Sequence, residues 1–121
     1  MANFYENLEV YQRSFQLIPR IYRLGKPLEF ERDYELKSQI NRAAISIPSN
    51  IAEGAASGGH RTYRRHINIA LGSTSELHTQ VKLTHVLDYL QEQEAEDILL
   101  EIETIQQMLY GLRRYVEKQL T

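Results

Sequence analysis

The stretch LKSQINRAAISIPSNIAEGAA, from Leu36 to Ala56, constrains this chain most. Read at helical spacing, it carries two parallel rows. One is apolar (Leu36, Ile40, Ala43, Ile47, Ile51) and one is polar (Gln39, Arg42, Ser46, Ser49, Glu53), with Asn50 beside the second. An apolar row of that length needs a core to bury it. A polar row running alongside needs either water or a partner with matching groups. Pro48 interrupts the pattern chemically, because it removes the donor that the Ala44 carbonyl would use. The apolar row nevertheless keeps its phase across the proline, so the spacing predicts a kinked but continuous helix over 34–56, with Ser46 and Ser49 close enough to satisfy freed groups. In the competing reading the helix breaks, and Asn50 and Glu53 form a capping box for a new start.

Three further helices follow from periodicity. From Leu8 to Leu24 a clean seam (Leu8, Tyr11, Phe15, Ile18, Tyr22) runs beside a second apolar row (Val10, Leu17, Ile21, Leu24). A surface helix of a monomer needs one such stripe, so two imply a central position or a contact outside the bundle. Pro19 should bend this helix, and Gly25 followed by Pro27 should stop it. KPLEFERDYE reads as a loop whose Leu28 and Phe30 tuck against the bundle ends, with Asp33 as N-cap of the next helix. After the turn Gly54-Ala-Ala-Ser-Gly58-Gly59, a third helix is expected from His60 to Leu90, with apolar or small residues from Tyr63 to Leu87 at alternating four-and-three spacing. Gly72 and Ser73 inside it read as a place where a neighbouring helix comes close. A fourth helix is expected from Glu94 to Lys118, acidic in its first turns and basic in its last, as the helix dipole favours.

Four amphipathic helices joined by short connections specify an all-α, antiparallel up-and-down four-helix bundle, and 121 residues make residues 1–121 one domain. With 42% hydrophobic and 25% charged residues, the composition is that of an ordinary globular chain. There is no cysteine, which excludes disulfides and thiolate chemistry and suits a reducing cytoplasm. The N-terminus MANFYENLEV has neither a basic leader nor an apolar core, and no run approaches the roughly 18 apolar residues of a membrane span, so a cytoplasmic location without membrane association is expected. A net charge of −2 gives no global attraction to nucleic acid; phosphate binding would have to come from a local patch.

No catalytic constellation emerges. A di-iron bundle site needs Glu-x-x-His on two helices, and no glutamate here has histidine three residues later. His78 and His85 share a face but stand about 10 Å apart along the axis, too far for one metal. The glycine-rich turn ends in Gly-His-Arg rather than Gly-Lys-Ser/Thr, and Ser46 and Ser49 have no histidine near them in sequence. The expectation is a non-enzyme without metal or cofactor. Two groupings remain. Arg61, Arg64 and Arg65, with His60 and His66, form the one basic cluster, fit for nucleic-acid phosphates, for ion pairs with acidic groups such as those opening the fourth helix or those of another subunit, or simply for a solvated surface. The polar row of the second helix has a counterpart in His66, Ser73, Glu76 and Gln80, so Gln39, Arg42, Ser46, Asn50, Glu53 and Glu76 are read as a structural network. Arg42 facing Glu76 is its expected centre, since a buried guanidinium needs a carboxylate.

The run Gln39 to Gly54 containing SIPSNIAEG, followed by Ile69-Ala-Leu-Gly72-Ser73 and Ser75-Glu76-Leu77, resembles the bundle proteins encoded in bacterial 23S rRNA intervening sequences. Leu8-Glu-Val-Tyr11-Gln and Ile21-Tyr22 also fit, so the resemblance extends over nearly the whole chain. It implies an up-and-down bundle assembled as a ring-shaped homopentamer, with a molecular role that is not settled. Related bundles that accompany the reverse transcriptases of diversity-generating retroelements form similar pentamers and bind nucleic acid, but they are strongly basic. The resemblance therefore implies self-association as the leading function, with RNA as a second candidate partner.

Overall fold

The computed structural model describes residues 4–25 and 28–120, with the side chain of Leu28 outside that description. A short 3-10 turn at Phe4–Asn7 precedes five helices: α1 at Glu9–Tyr22, α2 at Leu28–Arg32, α3 at Tyr34–Ala56, α4 at His60–Val86 and α5 at Glu92–Lys118. The four long ones form the bundle. α3 packs on α1 and α4, and α5 packs on α4 and α1, so successive long helices are neighbours and the order closes on itself. The connections are short, which makes the neighbours antiparallel.

α3 begins where Asp33 Oδ1 accepts from the Leu36 amide at 3.2 Å, the expected N-cap. It continues without interruption through Pro48 to Ala56. Pro48 is itself buried, and so are Ile40, Ala43, Ala44, Ile47 and Ile51. Packing on both flanks holds the helix where local chemistry alone would weaken it. The Ser46 hydroxyl does not turn back to the freed carbonyl as expected; it points across to α4.

In α1 the second apolar row, not the cleaner seam, is the one that faces the core. The core row is Val10, Leu17, Ile21 and Leu24, with Ser14 buried among them and bonded to the Tyr11 carbonyl at 2.9 Å. The cleaner seam lies outward: Phe15 is 57% and Tyr22 51% exposed, and Leu8, Tyr11 and Ile18 are half-buried. Large aromatics made the outer row look like the core, whereas a single serine in the inner row disguised it.

The segment read as a loop contains the one-turn helix α2. Phe30 is buried as expected, its ring stacked on Tyr89 at 5.3 Å, which closes one end of the bundle. The expectation for Leu28 falls outside the described residues. α4 stops at Val86, earlier than expected, because Asp88 takes a left-handed conformation with φ 62°. The amides of Asp88 and Tyr89 then donate to the carbonyls of His85 and Thr84, the paired bonds of a Schellman ending.

The glycines also redistribute. Gly72 is exposed, and a Cβ there would meet nothing within 4 Å, so no helix of this chain uses the space its missing side chain leaves. A mid-helix glycine costs about 1 kcal/mol against alanine, with no return inside the chain. The close approach occurs instead at Gly54, a residue inside α3 rather than in the turn, where a Cβ would stand 2.7 Å from the His66 Cβ. Gly25 is constrained twice over. Its φ is +65°, and a Cβ would lie 2.4 Å from the Phe30 ring and 2.8 Å from the Tyr89 carbonyl oxygen. Gly25→Ala is expected to destabilise the fold by about 2 kcal/mol, lowering Tm by several degrees in a thermal melt.

Candidate functional site

The polar rows of α3 and α4 do meet, and the antiparallel register pairs early residues of one with late residues of the other. Ser73 Oγ donates to Ser46 Oγ at 2.7 Å. Asn50 Nδ2 donates to the Ser46 carbonyl at 2.9 Å and to Ser46 Oγ at 3.0 Å. Its amide nitrogen thus committed, Asn50 offers Oδ1 to His66 Nδ1 at 2.9 Å, which assigns the ring proton to Nδ1. Glu53 stands 3.9 Å from the same nitrogen with its own side chain 70% exposed. His66 is buried in the process.

The other members of the expected network lie at its rim. Gln39, Arg42 and Glu76 are exposed, and no ion pair joins Arg42 to Glu76 among the described residues. The physical reason is solvation: a guanidinium that reaches water does not require a carboxylate, and an exposed pair contributes little to stability. The centre of the seam is instead the uncharged chain Ser73–Ser46–Asn50–His66. Gln80, one turn beyond Glu76, is buried with its Oε1 lacking a hydrogen-bond partner among the described residues.

Arg61, Arg64 and Arg65 are all exposed and form no ion pair among the described residues. Within one copy, pairing with the acidic start of the last helix is out of reach, which leaves the solvated surface and contacts between copies among the expected alternatives. α4 begins beside the end of α5, and its 27 residues put the α5 start about 40 Å away. Arg113, Arg114 and Lys118 at the end of α5 therefore add to the same end of the bundle, while Glu92, Glu94, Glu96 and Asp97 gather at the other. Beside the basic end lies a hollow of about 500 Å³ lined by Leu8, Ala55, His60, Tyr63, Tyr115 and Val116 among others. Burial, together with nearby Tyr115, pushes the Tyr63 phenol up from its ordinary value, so it stays neutral at physiological pH.

The sequence reading missed the polar ties to α5. Arg13 grips Glu101 through two hydrogen bonds, at 2.7 and 3.0 Å, and His78 meets Glu103 at 2.9 Å. Arg113 donates to Asn68 at 2.9 Å. Their signal was present, since each lies at the edge of an apolar row, but a partner distant in sequence is not announced by local spacing. Among the described residues no three His, Asp or Glu side chains converge as a metal ion would require, and no helix is long and apolar enough to cross a membrane. Nothing in the seam activates Ser46: its hydroxyl is engaged by Asn50 and Ser73, and the imidazole nearest it is turned to Asn50.

Two substitutions in this one seam should act with opposite signs. Asn50→Ala leaves the buried Nδ1–H of His66 without its partner and should destabilise by about 1 to 3 kcal/mol. Gln80→Leu removes an unmet buried acceptor and should stabilise by about 1 kcal/mol. Chemical denaturation of the two variants beside the parent chain checks both.

The chain matches the family described as "23S rRNA-intervening sequence protein" over residues 6–111. No curated protein matches it. Among solved structures it is similar to a protein of unknown function from the S23 ribosomal protein family of Bacteroides thetaiotaomicron VPI-5482, with a TM-score of 0.79. The two share 22% sequence identity over 87% of this chain and 95% of that one, a likeness that speaks for the fold. A match spanning both polar rows and all four long helices for most of their length settles the assignment: the chain belongs to the 23S rRNA-intervening sequence protein family.

Proposed function

We propose that this protein is a non-enzymatic, cytoplasmic assembly subunit that works as a homo-oligomer, the pentameric ring implied by the family resemblance. The observation that carries this reading is the outer row of α1. Phe15 and Tyr22 are more than half exposed, and Tyr11 and Ile18 extend the same stripe. A stripe of aromatic rings along one helix face, flanked by uncharged Gln12 and Gln16, is a surface that gains from being covered. The interior polar groups favour the same reading, since they are spent on holding α3 to α4 rather than directed at a ligand. Phe15→Arg combined with Tyr22→Arg is expected to yield a monomer with unchanged helical circular dichroism, read by light scattering on the eluting peak. A parent chain that elutes as a monomer at micromolar concentration would refute self-association.

A second reading, RNA binding, is supported by the exposed guanidinium groups of Arg61, Arg64 and Arg65, which form no ion pair among the described residues, and by their gathering with Arg114 at one end of the bundle. The family's description refers to 23S rRNA, and these groups are where an RNA backbone would be gripped. Arg61→Ala with Arg65→Ala should weaken RNA binding uniformly across sequences and reduce the slope of log affinity against log salt by about two. Affinity indifferent to salt, or to this double substitution, would dismiss the reading.

A further inference from the structure

We infer that the hollow at the basic end of the bundle is a binding site for a small carboxylate with an apolar body, aromatic or aliphatic. The first ground is that this end of the core has no plug. At the opposite end Phe30 is buried and its ring stacks on Tyr89. Here the space between the α3–α4 turn, the end of α5 and the Phe4–Asn7 turn stays open, about 500 Å³ in volume. That lies within the roughly 300–1,000 Å³ of small-molecule sites. One wall is bare backbone, since a Cβ at Gly58 or Gly59 would meet no atom within 4 Å. The rest is core surface: Ala55 and Val116 are buried, and Leu8 and Leu112 are half-buried beside them. An apolar body of ten or so carbons gains by covering such a surface.

The second ground is the polar groups set around this space. Tyr63, half-buried, and Tyr115, at the mouth, both line it, and neither hydroxyl forms a hydrogen bond among the described residues. Two phenol donors without an acceptor favour an anionic head, because a hydrogen bond to a charged group is about twice as strong as a neutral one. His60 lines the same hollow, and Arg64 stands one turn further on the same face of α4. No Asp or Glu among the described residues lines it. The carboxylates of this end are otherwise placed: Glu117 pairs with Arg113 at 3.4 Å, Glu53 stands beside His66, and Glu6 borders a separate hollow with Tyr11 and Phe15. A carboxylate head between the two phenols therefore sits in the field of Arg61, Arg64 and Arg114, with its apolar body directed at Ala55 and Val116.

Three probes with one body and different heads provide the test: 4-phenylbutyrate, 4-phenylbutanol and 4-phenylbutylamine, each titrated by calorimetry into the whole protein at neutral pH. The carboxylate is expected to bind with a Kd on the order of 0.1–1 mM, and about tenfold more tightly than the alcohol or the amine. Amide NMR spectra locate the site: the Gly58 and Gly59 signals should shift with 4-phenylbutyrate, and that of Gly25, at the other end of the bundle, should not. Tyr63→Phe combined with Tyr115→Phe keeps both rings and removes both hydroxyls. With helical circular dichroism unchanged, it should weaken the carboxylate about tenfold and the alcohol far less. Equal affinity for the three heads, a double variant that binds as the parent does, or shifts confined to other parts of the chain would each overturn the inference. So would the absence of saturable binding, including the case in which a second copy fills the hollow, seen as Gly58 and Gly59 signals that move on dilution and not with the probe.

Discussion

α3 can remain one helix for 23 residues, proline included, because it is clamped between α1 and α4 while its apolar row faces the core. Ile40, Ile47 and Ile51 are fully buried there, and small residues at Ala43, Ala44 and Gly54 let the neighbours approach. The clamp is tightest near Gly54, where the α3 backbone presses on His66 and Tyr63. Much else depends on that proximity. It brings Asn50 within reach of His66 and Ser46 within reach of Ser73, so the hydrogen-bonded seam is a consequence of close packing as much as a cause of it. Each of these bonds contributes about 1 kcal/mol; the specificity of register they confer is worth more than their energy, because a shifted α4 would bury several unmet polar groups at once.

Polarity is distributed unevenly around the bundle. α5 is joined to its neighbours by charged and polar ties, Arg13 with Glu101, His78 with Glu103 and Arg113 with Asn68. The outer surfaces of α1 and α4 flanking α3 expose large apolar side chains, Phe15 and Tyr22 on one and Ile69 and Leu83 on the other, the latter set between the charges of Arg65 and Glu76. Along the axis the asymmetry is of another kind, with arginines gathered where α4 begins and α5 ends, and carboxylates gathered where α5 begins. A net charge of −2 conceals both patterns. Charge that averages to nearly nothing over the chain is locally strong: α5 is acidic where it begins and basic where it ends, as its dipole favours, whereas the arginines opening α4 stand against the dipole of their own helix.

Periodicity made the four long helices and the bundle legible, because it reports burial over many residues and tolerates single exceptions. The N-cap at Asp33, the burial of Phe30 and the continuity across Pro48 were legible for the same reason: each rests on local chemistry or on a pattern that spans the exception. What escaped was the assignment of faces. In α1 both rows have helical spacing, and only the position of α3 and α5 decides which one is inside; Ser14 in the inner row and rings in the outer one then mislead any ranking by hydrophobicity. Gly54 and Gly72 were exchanged in role because a missing side chain has no preferred partner until the neighbouring backbone is in place. Arg42 and Glu76 were set together on correct register but on the mistaken premise that both were removed from water.

Gly54 bears on the turn that follows it. Since α3 and α4 are held at near-contact distance from within, by the absence of a methyl group and by the seam beside it, the Ser57–Gly58–Gly59 connection has little structural duty beyond reversing the chain. The two glycines of the turn, unlike Gly54, face open space. The tip between α3 and α4, with the left-handed φ of +82° at Gly58 kept for glycine, is therefore the natural place for a peptide tag, a fluorophore or an inserted domain.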